Sequence, residues 1–188
     1  MAGDIGKHAR PGITIPLWSA GEYVHPLPRL ISHAKDRHRW DVIEVLSIRL
    51  AMAVAGLADD VRLAGPGVLV PFPSRPKVIR ERGLDFTHTL ATKACRYLRG
   101  IKLSVEPYHM LSHARQVKDQ KDLSTTQRLR NLQGSLKTCR SPRDRWIIVI
   151  DDVVTTGASL NEAVRALGVS GYLPVGLATV ASTRLNQY

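Results

Sequence analysis

The sequence predicts an α/β fold, a doubly wound parallel sheet. Three observations carry this. The run Trp146–Ile150 is apolar without interruption, as in a strand buried on both faces. It is followed after a short polar turn by a helical pattern over Ala158–Val169 and a second apolar run over Leu173–Ala181. Apolar runs and helical patterns alternate through the rest of the chain, which implies parallel strands joined by right-handed crossovers.

In chain order, Ile13–Trp18 alternates weakly and is expected to be a first strand. Leu27–Lys35 is a short amphipathic helix after two prolines. Asp41–Asp59 is a longer helix whose apolar face holds Val42, Leu46, Ile48, Leu50, Val54 and Leu57, with Asp41 as N-cap. Gly65-Pro66-Gly67 stops it. Val68–Val70 is a strand, ended by Pro71, Pro73 and Pro76, residues that cannot serve a central ladder. Asp85–Leu98 reads as helix and Leu103–Met110 as strand. Ser112–Asp122 is charged and aperiodic, a mobile loop. Ser124-x-x-Gln127 is a capping box that opens a helix over Thr125–Gln133. The expected organisation is a lead-in or hood segment, residues 1–40, ahead of a core domain, residues 41–188.

The 188 residues suit one compact domain that needs neither disulfide nor metal to fold. Cys95 and Cys139 form no C-x-x-C pair, and the seven histidines show no metal spacing. No apolar run approaches the roughly 20 residues of a membrane span. Met1–Pro11 is charged early and offers no hydrophobic signal core, so the expected setting is the cytoplasm, with no membrane partner. The net charge is +11, and Ser112–Arg145 holds nine Lys and Arg against three Asp, a net of +6. Such a surface attracts nucleic acid or phosphorylated small molecules, or is simply solvated. Aromatic residues are 5% of the chain and unclustered, which speaks against single-strand recognition by stacking. Arg29, His33, Lys35, Arg37, His38 and Arg39 form a second basic run, either solvated surface or a nucleic-acid or diphosphate contact.

Ligands of such sheets sit at the carboxyl ends of the strands, here after Val70 and Ile150. After Ile150 come Asp151 and Asp152, then Thr155, Thr156, Gly157, Ala158 and Ser159 at a helix start. Free N–H groups and hydroxyls in that turn make an anion cradle, and Gly157 lets a phosphate approach the backbone. The two carboxylates would repel an anion but suit vicinal hydroxyls. The pattern is that of a ribose-5-phosphate site; a plain helix cap is the bland alternative.

The stretch Ile147–Ser159, IIVIDDVVTTGAS, resembles the diphosphoribosyl-binding motif of type I phosphoribosyltransferases. Val70-Pro-Phe-Pro73 with Arg80-Glu-Arg82-Gly83 resembles the ComF branch, the DNA-uptake and gluconate-associated (GntX-like) relatives. Arg115-x-Val117-x-x-Gln120-x-x-Leu123 and Arg128-x-x-Asn131-x-x-Gly134 resemble that branch's second signature. The likeness runs from Tyr23 to Ala181. Leu84, Asp85 and Phe86 depart from the branch's Phe-Asn-Gln, and the cysteine module that many relatives carry upstream has no counterpart in these residues. Thr155 stands where 6-oxopurine enzymes place an acidic base, which implies another acceptor.

By this resemblance Asp151 and Asp152 hold the ribose hydroxyls and Thr155–Ser159 the 5-phosphate. Pro71–Arg75 is the diphosphate loop, with Pro73, Ser74 and Arg75 as contacts. Ser112–Asp122 is a flexible hood bringing Arg115, Lys118 or Lys121 over the leaving diphosphate. Asp151, Asp152, Arg115 and Lys118 are thus the candidate catalytic residues. Mg²⁺ is the implied cofactor, bridging diphosphate and ribose oxygens, with no protein side chain assigned as its ligand. The expected partners are 5-phosphoribosyl-1-diphosphate and a small-molecule acceptor, with weak single-stranded DNA binding and a homodimer as further candidates. The implied reaction is transfer of phosphoribosyl to the acceptor with release of diphosphate. The rival is a non-catalytic protein that binds the same diphosphate and single-stranded DNA in DNA uptake; a nucleotide-binding regulator ranks behind both.

Overall fold

The structure, a computed structural model, describes residues 6–8, 14–115, 131–139, 142 and 144–183. The elements are β1 (Gly6–His8), β2 (Leu17–Ser19), α1 (Leu27–Arg37), α2 (Trp40–Asp60), β3 (Gly67–Pro71), α3 (Pro76–Arg82), α4 (Phe86–Gly100) and β4 (Val105–Pro107). They continue with β5 (Leu111–His113), β6 (Leu136–Thr138), β7 (Trp146–Val154), α5 (Ala158–Val169) and β8 (Gly176–Ser182). The main sheet has the order β1-β2-β8-β7-β3-β4, parallel except for the β1–β2 edge; β5 and β6 form a separate antiparallel ribbon.

The apolar run of β7 serves both faces of the sheet. Ile148 and Ile150 join Leu69 in a core closed by α1, α2 and α4. Ile147 and Val149 join Val68, Val70 and Leu177 in a second core closed by α5 and the ribbon. All four β7 residues are at most 4% exposed. The doubly wound parallel sheet expected from the sequence is therefore what forms, with β7 at its centre and the carboxyl ends of β7 and β3 side by side.

Several boundaries differ from expectation, each for a local reason. Asp41 is not the N-cap of α2: the helix begins at Trp40, and Asp41 sits in its first turn, where it accepts Arg39 Nε and Nη2 at 2.9 and 2.7 Å. The strand expected over Val68–Val70 runs Gly67–Pro71 and is interior, between β7 and β4; Pro71, lacking an N–H, is its last residue. Leu103–Met110 is not one strand, because Pro107 ends β4 and a turn leads to β5. Ser112 and His113 are strand residues paired with Lys137 and Leu136, not loop. β7 continues through Asp151–Val154, and β8 starts only at Gly176, beyond Pro174. The strand expected over Ile13–Trp18 is β2, Leu17–Ser19, beyond Pro16. Pro76, read as a strand terminator, is the opening residue of α3, a position its fixed φ favours. Residues 116–130, with Ser124, Gln127 and most of the expected Thr125–Gln133 helix, lie outside the described residues. Among the described residues no helix is long and apolar enough to cross a membrane.

Candidate functional site

The site is built where β7 and β3 end. Asp151 and Asp152 occupy the last part of β7, and the chain then turns through Thr155–Gly157 into α5. Gly157 is in the left-handed region at φ 80°, the N-cap conformation that glycine adopts without strain. It offers no capping side chain, and Ala158 N donates to Thr156 Oγ at 3.3 Å. The remaining first-turn N–H groups of α5 point out of the helix start, the arrangement that favours anions.

A cavity of about 340 Å³ brings together Asp151, Asp152, Thr155 and Ser159 from the β7–α5 junction and Phe72, Pro73, Ser74 and Arg75 from the loop after β3. Lys35, Arg82, Phe86 and His113 also line it. Thr156, Gly157 and Ala158 form the turn behind Thr155 and Ser159. Two loops some 80 residues apart in sequence thus share one cavity, as the sequence reading expects. A second cavity of about 500 Å³ adjoins it through Arg75 and His113, and contains Lys77, Arg80 and Arg115. Arg115 therefore stands beside the carboxylate cavity rather than in its wall, and its Nη2 donates to the carbonyls of Asn131 and Gln133 at 2.9 and 2.8 Å. Lys118 and Lys121 lie outside the described residues.

The carboxylates are not equivalent. Asp151 is 8% exposed, and its Oδ1 accepts Asp152 N at 2.8 Å. Burial, reinforced by the neighbouring Asp152 charge, pushes Asp151 well above the usual carboxylate range. Burial acts on Asp152 too, but the Lys35 ammonium bonded to Oδ2 outweighs it and holds Asp152 below that range. Lys35 is raised in turn: its burial works downward and the Asp152 charge prevails. Sequence reading placed Lys35 in a basic run rather than in the site. The available signal was spacing, since Lys35 follows Leu27 and Ile31 at four-residue intervals on the buried face of α1.

The diphosphate-loop residues are also braced. Ser74 Oγ donates to Asp85 Oδ1 at 2.9 Å, and the same carboxylate caps α4 by accepting His88 N at 3.3 Å. The departure Leu84-Asp85-Phe86 thus has a structural job, joining the loop after β3 to the start of α4. His113 holds the same loop from the other side, its Nε2 3.0 Å from Pro73 O.

Among the described residues no cluster of three or more His, Cys, Asp or Glu is placed to hold a metal unaided. The acidic pair still fits Mg²⁺: it offers only oxygen, and Lys35 answers one of its two carboxylates. A hard cation carried by phosphate and hydroxyl oxygens suits such a field.

Residues 79–187 match the family model described as the phosphoribosyl transferase domain. The chain is 27% identical over 164 residues to Competence protein F of Haemophilus influenzae, covering 84% of this chain and 70% of that protein. It is 26% identical over 151 residues to DNA utilization protein YhgH of Escherichia coli K12, covering 80% and 65%. It therefore spans about two thirds of the length of these curated relatives. Among solved structures, a hypoxanthine phosphoribosyl transferase of Trypanosoma cruzi aligns over 78% of this chain and 69% of its own, at 15% identity and a TM-score of 0.43. A likeness that distant contributes nothing to the choice of substrate.

Proposed function

The chain belongs to the phosphoribosyl transferase domain family and is ComF-like in sequence, and from that premise we propose that it binds 5-phosphoribosyl-1-diphosphate with Mg²⁺ and transfers the phosphoribosyl group to a small acceptor. One observation carries the reading: the Asp151–Asp152 pair and the open start of α5 face the Pro73–Arg75 loop across a single cavity. Ribose hydroxyls donate to the carboxylates, the 5-phosphate takes the N–H groups and hydroxyls of Thr155–Ser159, and the diphosphate lies toward Arg75. Bound Mg²⁺ supplies charge neutralisation of the diphosphate as it leaves. Helix α1, within the expected lead-in, closes one side of the cavity through Lys35, and the cations near Arg115 meet the departing charge. Thr155, in place of an acidic residue, directs the reaction to acceptors other than 6-oxopurines.

The second reading, a non-catalytic binder of the diphosphate and single-stranded DNA, is favoured by the cavity that Arg75, Lys77, Arg80 and Arg115 surround, in which no carboxylate is among the described lining residues, and by the names of the two relatives. Calorimetry with phosphoribosyl diphosphate decides the primary reading: affinity should fall sharply when the metal is chelated. Equal affinity without metal contradicts the assigned geometry. Diphosphate release on adding candidate acceptors separates enzyme from binder. A short single strand that competes with the ligand at low salt is the signature of the second reading.

A further inference from the structure

The observation that the proposed chemistry leaves unused is the way α1 enters the site. Lys35 projects from the buried face of α1, which also holds Leu27, Ile31 and Ala34. Its side chain is 26% exposed, its ammonium is bonded to Asp152 Oδ2, and it lies 5.2 Å from the centre of the Phe86 ring. The next turn fixes its approach: Asp36 Oδ1 pairs with Arg82 Nη2 at 3.4 Å, and the His38 ring bonds to Arg82 O. Helices α1, α3 and α4 and strand β7 are thus joined around one ammonium.

A pair of adjacent carboxylates is an obstacle to a polyanion. The hydroxyl-accepting oxygens that a ribose needs are the same charges that repel its phosphates. The cavity must carry a positive charge against the carboxylates before the ligand arrives, and among the residues lining it Lys35 is the one bonded to them. An ion pair this enclosed is a poor source of stability, because desolvation offsets the attraction. Its placement at the floor of a ligand cavity therefore calls for a role in binding.

We propose that Lys35 is a positioning residue for the ligand, an internal counter-charge that neutralises Asp152 and orients its free oxygen toward the ribose, so that α1 belongs to the binding site. The inference rests on the reading that the cavity takes phosphoribosyl diphosphate. It also assigns a division of labour between two cations: Lys35 stays with the carboxylates, while Mg²⁺ arrives with the phosphates. High Mg²⁺ should then compensate in part for a missing Lys35, which a merely structural salt bridge does not predict.

The test is calorimetry with phosphoribosyl diphosphate over a range of Mg²⁺ concentrations, on the parent chain, Lys35→Met and Lys35→Arg. A lost charge-assisted contact corresponds to about a ten- to hundredfold weaker affinity for Lys35→Met at low Mg²⁺. The gap should narrow as Mg²⁺ rises, and Lys35→Arg should restore most of the affinity. Should Lys35→Met lose its cooperative unfolding transition, Lys35→Met/Asp152→Asn, which removes both members of the ion pair, is compared with Asp152→Asn alone. Equal affinities within about threefold are then required, since a contact that acts through Asp152 has no effect once that charge is gone. Affinity of Lys35→Met equal to the parent, a deficit independent of Mg²⁺, or a further loss in the Asp152→Asn background overturns the role of Lys35 alone. A parent chain that does not bind the diphosphate overturns the reading of the cavity and this role with it.

Discussion

Glu162 anchors the β5–β6 ribbon to the helix that starts at the anion cradle. It is 4% exposed and accepts Leu136 N at 2.9 Å, Gly134 N at 3.1 Å, and Arg165 Nε and Nη2 at 2.7 and 2.8 Å. Replacing it with alanine removes all four hydrogen bonds at once, but the losses are unequal. Leu136 is buried, so its orphaned N–H costs about 1–3 kcal/mol, whereas Gly134 is exposed and water replaces most of its bond, leaving about 0.5–1 kcal/mol. The Arg165 side chain is 38% exposed, and loss of that pair adds up to about 1 kcal/mol. Glu162→Ala is therefore expected to lose roughly 1.5–5 kcal/mol, and Glu162→Gln, which keeps one carbonyl oxygen, about 1–2 kcal/mol. Burial alone would raise the Glu162 carboxyl, but Arg165 and the two backbone donors outweigh it and hold it below its ordinary value. A depressed carboxylate stabilises above its unfolded pKa and loses that contribution as pH falls through its folded value. The difference between Glu162→Ala and the parent should thus shrink below about pH 4. Urea unfolding at pH 7 and pH 4 measures the cost, and amide exchange at Leu136 localises it. If both variants stay within about 0.5 kcal/mol of the parent at pH 7, the ribbon is held by something other than this carboxylate.

Two further outcomes follow from the site and its walls. Gly157→Val puts a β-branched residue at φ 80° and a side chain where the phosphate meets the backbone; it should keep a cooperative unfolding transition yet bind phosphoribosyl diphosphate at least about tenfold more weakly by calorimetry, and parental affinity would move the cradle elsewhere. His88 and His113 are both held below the ordinary histidine value, chiefly by burial, with His109 and Arg75 respectively pushing the same way. Below about pH 6.5 the unfolded chain takes up protons that the fold refuses, so these two groups make stability fall with pH, and His88→Gln/His113→Gln should flatten the slope of unfolding free energy between pH 7 and pH 5 relative to the parent; an unchanged slope refutes the assignment.

What was legible in the sequence was what is written locally. The uninterrupted apolar residues of β7 announce a strand buried on both faces, and the acidic pair and small-residue turn that follow announce the wall of a cavity. Proximity of the Pro73–Arg75 loop to Asp151 was legible from topology, because adjacent parallel strands end on one edge. Asp85 could be read as part of a helix start, but not as the acceptor for Ser74. The ribbon escaped notice because three-residue strands are too short to display a period. The opening of α3 was hidden by the ambiguity of proline, which ends a strand and begins a helix with equal ease. Glu162 left no mark, since its backbone partners lie 26 and 28 residues away and any exposed-face carboxylate of α5 would look the same. Lys35 is the instructive case: its charge left solvated surface and a phosphate contact both open, while helical spacing put it beside buried residues.

The remote end of β7 has its own consequence for spectroscopy. Trp146 lies across Gly67, where an added Cβ would fall 2.1 Å from the indole, and its ring N–H donates to Gly65 O at 3.0 Å. Trp18 covers Gly56 in the same manner. Trp40, 55% exposed, opens α2 three residues after the end of α1. Native emission is thus the sum of two half-buried indoles stationed on the sheet and one mostly solvent-facing indole at the joint between α1 and α2. An aqueous quencher reaches the last most readily, because the other two are partly buried. Quenching therefore reports chiefly on the joint between α1 and α2, while the half-buried indoles report on the sheet.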